Sequence, residues 1–386
     1  MSKLRFGVVG KNYTAKFVSA SLKYVPDVEV SAICTTQAQT ARAAAEELGI
    51  PKAYGSAAEL IADPSIDAVI AGGRPSVRDE IVEAALEAGK HVYNLIPFAT
   101  SEPKARRLRD LAKRNGLVGI ADAQWTWVPA LRRMREIQQE GGLGEFWTAS
   151  LHLYLAMVEN DGARYSTCSW SGITDPYLWL SEASSGCSAW RNFGTHSILN
   201  LTHFFGEIEE VVGTANTFLK EMILPDGTRI RPQTDDFGHA IVKFKNGGVA
   251  NINVSWAMAD APGYRFEVCG SKGRMLVEDS YFCSAAARLY VGDASQPSTF
   301  DGRNGRWVEL PSRLRQVAGG QTLDEGDWLI PYAAMFTEMA RAIRTGEGEA
   351  HPSFSEAYHA HCAMEAVVRS MQTKSWVKVA DIESGG

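Results

Sequence analysis

The 386-residue chain is poor in the features that mark a protein for metals, membranes or nucleic acid. Its six cysteines, Cys34, Cys168, Cys187, Cys269, Cys283 and Cys362, are scattered without a Cys-x-x-Cys pair, so neither a zinc knuckle nor a dithiol redox site is expected. No apolar run approaches the ~20 residues that span a bilayer. The first residues, Met1-Ser2-Lys3-Leu4, lead straight into a strand pattern without the basic, apolar and small-residue segments of a secretory signal. A basic block is missing too: 39 Lys and Arg stand against 45 Asp and Glu, for a net charge of −6, and neither nucleic acid nor a membrane is expected as partner. Internal repeats and low-complexity tracts are also lacking. These absences leave a globular, cytoplasmic protein acting on a small molecule. With 45% apolar residues over this length, two domains are expected.

The chain first alternates short strands with helices. Leu4–Val9 reads as a buried strand, and Gly10-Lys11-Asn12-Tyr13-Thr14-Ala15 turns into an amphipathic helix through Phe17, Val18 and Leu22. Strands follow at Val28–Ile33, Ala53–Tyr54, Asp67–Ala71, up to Asn94 and at Leu117–Ala121, separated by helices at Ala38–Leu48, Ala57–Ile61, Arg78–Ala88 and Glu102–Asn115. That alternation predicts right-handed crossovers and a mostly parallel sheet, an α/β Rossmann-type domain over residues 1–123.

From about Gly142 the segments lengthen and alternate apolar with polar residues, and Asn246-Gly247-Gly248 signals a hairpin. Residues 124–386 are therefore expected to form an α+β domain with a large, mostly antiparallel open sheet, covered on one face by helices such as Gly194–Phe205. Its other face would suit pairing of subunits, a homo-oligomeric dimer or tetramer. The closing helices, Pro331–Thr345 and Phe354–Gln372, are expected to pack back on the body.

Ligands of open α/β sheets lie outside the carboxyl ends of the strands, so His91-Val92-Tyr93-Asn94-Leu95-Ile96-Pro97 reads as the floor of a site. In a dinucleotide-binding turn three small residues allow a tight turn, close approach to pyrophosphate and helix packing. Those places hold Gly10, Asn12 and Ala15, a degraded pattern that an ordinary βα turn would also satisfy. After the second strand, Thr35-Thr36-Gln37 replaces the usual carboxylate. With Lys11 and Arg42 as phosphate partners these residues favour NADP over NAD; alternatively, the threonines only cap the next helix.

Several motifs then fall in one order along the chain: Ile66-Asp67-Ala68-Val69, Ala84-Ala85-Leu86-Glu87-Ala88-Gly89-Lys90-His91-Val92, Pro129 with Gly142-Leu143-Gly144-Glu145, Gly194-Thr195-His196, and Gly270-Ser271-Lys272-Gly273. In these the chain resembles the glucose–fructose oxidoreductase, inositol dehydrogenase and rhizopine-catabolism family (Gfo/Idh/MocA). The resemblance implies hydride transfer between NAD or NADP and a carbon bearing a hydroxyl. It also implies cofactor contacts from residues 10–15, Thr35, Thr36, Arg42, Gly73-Arg74-Pro75, Asn94-Leu95-Ile96-Pro97 and Gln124. The family's Glu-Lys-Pro motif falls on Leu95-Ile96-Pro97, which removes the acid/base lysine. Its Asp-x-Gly-x-His motif falls on Asn192-Phe193-Gly194-Thr195-His196, its Thr-Pro-Asn turn on Gly73-Arg74-Pro75, and a downstream His on Arg78.

Among these positions only His196 titrates near neutral pH without help, so it is the expected acid/base, with Asn192 orienting the substrate; the alternative is a hydrogen-bonded histidine at a helix start. The pairs His196/His203 and His359/His361 lack a third ligand at suitable spacing, and no metal is expected. Of the tryptophans Trp125, Trp127, Trp147, Trp170, Trp179 and Trp190, most would serve packing, while Trp125 and Trp190 are candidates for substrate contact. The expected function is an oxidoreductase acting on a cyclic alcohol or ketone, or on a sugar-like or aromatic-derived molecule. Alternatives are a redox-neutral lyase, hydratase or glycoside-cleaving enzyme with tightly held nicotinamide, and a catalytically inactive binding protein on the same scaffold.

Overall fold

The structure, a computed structural model, describes residues 3–385 except 160–163, 166–177, 225, 281–283, 293–303, 318–319 and 324–328. Trp170, Cys168 and Cys283 lie outside the described residues. Six parallel strands form the first sheet: β1 (Leu4–Val9), β2 (Val28–Cys34), β3 (Lys52–Tyr54), β4 (Ala68–Ala71), β5 (His91–Asn94) and β6 (Gly119–Ala121). Their spatial order is β3-β2-β1-β4-β5-β6, so the winding direction reverses between β1 and β4. A crevice opens at such a reversal, because the crossovers leave it in opposite directions.

Both faces of this sheet are buried, which is why its strands read as short apolar runs without alternation. On one face Phe6, Val8, Ile70, Tyr93 and Ile120 pack with Tyr332, Met335, Phe336 and Met339 of the helix Leu329–Thr345. The chain thus returns near its end to cover the first sheet, with Phe336 meeting the rings of Phe6 at 5.9 Å and Tyr93 at 5.0 Å. The regular helix expected after β1 is instead a π-helical stretch, Tyr13–Val18, followed by a 3-10 stretch, Ser19–Tyr24. Hydroxyls explain the departure: Thr14 Oγ1 donates to Val9 O, Ser19 Oγ to Ala15 O and Ser21 Oγ to Val18 O, each at 2.7 Å. Such side-chain bonds compete with the regular backbone ladder.

The second sheet has nine strands, and Phe146–Tyr154 lies at its centre between Gly263–Gly270 and Val249–Ser255. Its neighbours pair antiparallel, apart from the parallel pair Phe146–Tyr154 with Val249–Ser255. The expected hairpin at Asn246-Gly247-Gly248 is present, with Phe244 N donating to Gly248 O at 2.9 Å. Leu151, Ile252, Val242 and Phe266 face helices Thr195–Phe205 and Phe354–Thr373 in one continuous core. The opposite face carries Ser150, His152, His239, Asn251, Asn253 and Glu267, all partly exposed. Among the described residues no helix is long and apolar enough to cross a membrane.

Candidate active site

A cleft of about 460 Å³ opens at the carboxyl edge of the six-stranded sheet. Gly10–Thr14, Gly73, Arg74, Leu95, Ile96, Asp122 and Gln124 line one side. Tyr154 to Met157, Trp179, Leu180, Asn192, Phe193 and His196 line the other. Glycines shape the crevice where the winding reverses. Gly10 and Gly73 have φ of +94° and +110°, which other residues rarely adopt, and a Cβ on Gly72 would stand 2.1 Å from Val9 O.

The floor is held by one buried guanidinium. Arg78 Nε donates to Asn94 Oδ1 at 2.9 Å, Nη1 to Gly73 O at 3.0 Å, and Nη2 to Leu95 O at 3.1 Å and to Pro97 O. Burial pulls it down to about 10, so it remains a cation that ties two cleft loops together. Asn94 is spent on this scaffold, its Nδ2 donating to Phe98 O at 2.8 Å. Asn94, Pro97, Pro75 and Ala15 are buried and absent from the lining, whereas Leu95 and Ile96 face the cleft.

From the opposite wall Asn192 Nδ2 donates to Ile96 O at 3.1 Å, joining the two halves of the protein. His196 begins the helix Thr195–Phe205 and stacks on Trp125 with ring centroids 5.6 Å apart. Among the described residues no carboxylate supports it and its Nδ1 has no hydrogen-bond partner. Burial pulls the imidazole down to about 3, so it is neutral at physiological pH. The expectation of a base titrating near neutrality is therefore corrected: His196 offers a hydrogen bond but little basicity.

Sequence reasoning missed Asp122. This carboxylate follows β6, buried, and accepts from Tyr13 Oη at 3.4 Å. The Tyr13 and Tyr332 hydroxyls are 2.5 Å apart. With its amide oriented by its neighbours, Gln124 donates to Asp122 Oδ1 at 2.6 Å and accepts from Trp125 Nε1 and Tyr332 Oη, both at 3.1 Å. Burial pushes the carboxyl up to about 7, while Tyr93, Tyr13, Tyr332 and Arg78 restrain the rise. The signal was present in the sequence: Asp122 directly follows a strand of the parallel sheet, where ligands bind.

The other expected contacts divide. Thr35 Oγ1 bonds Gln37 O at 2.8 Å and Thr40 Oγ1 at 2.5 Å, so it braces the turn into helix Ala38–Leu48. Thr36 and Arg42 are exposed, and none of the three lines the cleft. Trp190 belongs to the core, since Cβ atoms on Gly194 and Gly238 would come within 2.8 and 2.9 Å of its ring and its Nε1 donates to Met364 O at 3.3 Å. Trp125 stands behind His196, and among the described residues the tryptophan on the lining is Trp179. At the rim Arg74 Nη1 pairs with Glu182 Oε2 at 2.7 Å.

Among the described residues His203, His351 and Glu356 bring their ligand atoms within 4.8 Å of one another. The atoms of His351 and Glu356 already have protein partners. His351 bonds Glu356 Oε1 at 2.8 Å and Thr126 Oγ1 at 2.9 Å, and Glu356 Oε2 accepts from Ser353 N at 2.7 Å in a capping box. The His203 and His351 rings stack with centroids 4.1 Å apart and an interplanar angle of 28°.

Comparisons with known proteins cover both halves of the chain. A model of an oxidoreductase family with an NAD-binding Rossmann fold matches residues 4–122, and a GFO/IDH/MocA C-terminal domain model matches 131–276. A levoglucosan dehydrogenase of Pseudarthrobacter phenanthrenivorans is 23% identical over all of both chains, and a myo-inositol 2-dehydrogenase of Thermotoga maritima is 24% identical over 72% of this chain and 75% of its own. The solved structure of levoglucosan dehydrogenase with NADH and levoglucosan superposes with a TM-score of 0.83 at 21% identity, covering 98% of this chain and 99% of the other.

Proposed function

The chain belongs to the Gfo/Idh/MocA family of NAD(P)-dependent oxidoreductases, and on that premise we propose that it moves a hydride between nicotinamide and a ring carbon of a cyclic alcohol, ketone or sugar-like molecule with an apolar face. The observation that carries this reading is the cleft itself. It joins the Gly10–Thr14 turn to a wall of Tyr154, Met157, Trp179, Leu180 and Phe193, and such rings and aliphatic groups cover an apolar ring face better than a fully hydroxylated one.

The residues fit a dinucleotide. The positive-φ glycines and the Cβ-free approach of Gly72 to Val9 leave backbone open to a pyrophosphate, and Lys11 lies exposed beside it. The bound cofactor supplies the two-electron acceptor or donor. For the rest, Leu95 and Ile96 give an apolar floor, Arg78 keeps it in place, and Asn192 with neutral His196 orients the substrate oxygen. NADP is preferred in this reading, because Thr35-Thr36-Gln37 presents no carboxylate to repel a 2′-phosphate and the exposed Arg42 follows nearby. The open face of the second sheet pairs subunits, a homo-oligomer that light scattering would detect.

Titrating the protein with NADPH and NADH, followed by quenching of tryptophan fluorescence, tests the cofactor; NADPH binds more tightly, and failure of both to bind would sink the reading. Oxidation assays on levoglucosan and myo-inositol test the substrate. Levoglucosan, with fewer hydroxyls, is turned over with the higher kcat/KM, and the reverse order would count against the apolar wall.

A further inference from the structure

Of the groups that line the cleft, Lys11, Arg74 and Arg78 are cations, Tyr13 and Tyr154 are phenols, and His196 is a buried neutral imidazole. Asp122 is the only carboxyl group among the described lining residues. A buried carboxylate normally has a cationic partner in direct contact, since an isolated charge is costly to desolvate. Among the described residues Asp122 has none: its hydrogen-bonding neighbours are neutral, and Arg78 has its donors on Asn94, Gly73, Leu95 and Pro97. The groups that face it come from each packed element: Tyr13 from the turn after β1, Tyr93 from β5, Arg78 from helix Pro75–Glu87, Tyr332 from helix Leu329–Thr345, and Gln124 two residues on. None of them is a second carboxyl group.

Its place in the sheet matters as much. A dinucleotide with its pyrophosphate at the Gly10–Thr14 turn lies across the reversal in strand order, one half toward β2 and the other toward β4, β5 and β6. Absence of a carboxylate after β2 concerns the adenosine half, whereas Asp122, after β6, stands on the nicotinamide side.

We propose that Asp122 is the proton acceptor and donor of this cleft, reached through the hydroxyl of Tyr13. The inference rests on the oxidoreductase reading above. In alcohol oxidation the carbinol C–H bond breaks with its electron pair passing to oxidised nicotinamide. The hydroxyl gives its proton to Tyr13 Oη as the Tyr13 proton moves to Asp122 Oδ2, and the C–O bond becomes a carbonyl. One two-electron oxidation is matched by one nicotinamide reduced, with one proton kept on Asp122; ketone reduction runs the same steps backwards. The position vacated by the lysine at Ile96 thus needs no replacement on the floor itself. A long contact such as 3.4 Å between Tyr13 and Asp122 is ordinary for a proton-transfer pair without its ligand.

A carboxylate there prefers the cationic oxidised ring to the neutral reduced one, so its ionisation is linked to cofactor binding. The test measures dissociation constants of NAD⁺ and NADH, and in parallel of NADP⁺ and NADPH, between about pH 6 and pH 8, on either side of the value of about 7 to which burial pushes Asp122. For the wild-type protein, affinity for the oxidised form relative to the reduced form rises with pH by roughly tenfold. For Asp122→Asn, which keeps the shape and removes the charge, the ratio is flat. Tyr13→Phe removes a donor to the carboxylate and moves the transition to higher pH, and it decides the matter if the Asn variant does not fold. A flat wild-type ratio, an Asn variant with the wild-type slope, or an unmoved transition in Tyr13→Phe overturns the role of Asp122 while leaving cofactor binding intact. Failure of wild-type protein to bind any of the four nucleotides overturns the oxidoreductase reading and this inference with it.

Discussion

Asp122 and His196 are buried on opposite walls of the cleft, and burial acts on them in opposite directions. On the wall built by the first sheet, Asp122 is pushed up to about 7; on the wall built by the second, His196 is pulled down to about 3. Burial disfavours the charged form in both cases. The directions differ because a carboxyl group is charged when deprotonated and an imidazole when protonated; the phenols around Asp122 restrain its rise, whereas burial is the cause that lowers His196. A carboxyl group can therefore exchange protons near neutrality here, and the histidine cannot.

The largest test of this contrast removes the cation behind the first wall. Arg78→Met leaves the acceptors of Gly73, Leu95, Pro97 and Asn94 without their donor, at about 1–3 kcal/mol for a buried group left unsatisfied. Chemical denaturation should show a loss of about 3 kcal/mol or more, with nicotinamide binding abolished. Retained binding at wild-type stability would mean that the floor is held by something else.

The next test uses pH and stability, and the two groups give opposite signs. The folded pKa of Asp122 is raised, so its contribution is fully present below the unfolded carboxyl value and is lost as pH rises through about 7. For His196 the folded pKa is depressed, so its contribution is present above about 6.5, the unfolded value, and is lost as pH falls toward about 3. Melting curves should show Asp122→Asn gaining on the wild type from about pH 4 to pH 7, and His196→Gln gaining on it as pH falls below about 6.5. Parallel wild-type and variant curves would remove the contrast between the walls.

The smallest effect is expected where the walls meet in solvent. Arg74 and Glu182 are both partly exposed, and such pairs contribute about 0–1 kcal/mol. Arg74→Ala should change stability by less than about 1 kcal/mol and leave the pH profile of cofactor binding unmoved. A large change in that profile would place the rim in the proton chemistry.

Much of the first sheet was legible because its signals are local. Apolar runs such as Ala68–Ala71, the helix-stopping Gly89 and the turn at Gly10 each depend on neighbours in sequence. That Leu95, Ile96 and Asn192 carry no ionisable side chain was equally plain, since identity needs no geometry. The irregular helix after β1 was less so: its hydroxyls at Thr14, Ser19 and Ser21 were visible, but not whether they would bond backward or face solvent.

Sequence by itself determined the alternation of elements, the carboxyl edge of the first sheet as the place of the site, and the inventory of groups near it. Tertiary structure alone decided which of those groups could act. It placed Trp179 on the lining and Trp190 in the core, brought Tyr332 from 319 positions away against Tyr13, and set the burial of Asp122 and His196. Periodicity and turn chemistry are carried by adjacent residues, whereas desolvation and hydrogen bonding at a site depend on atoms that only folding brings together.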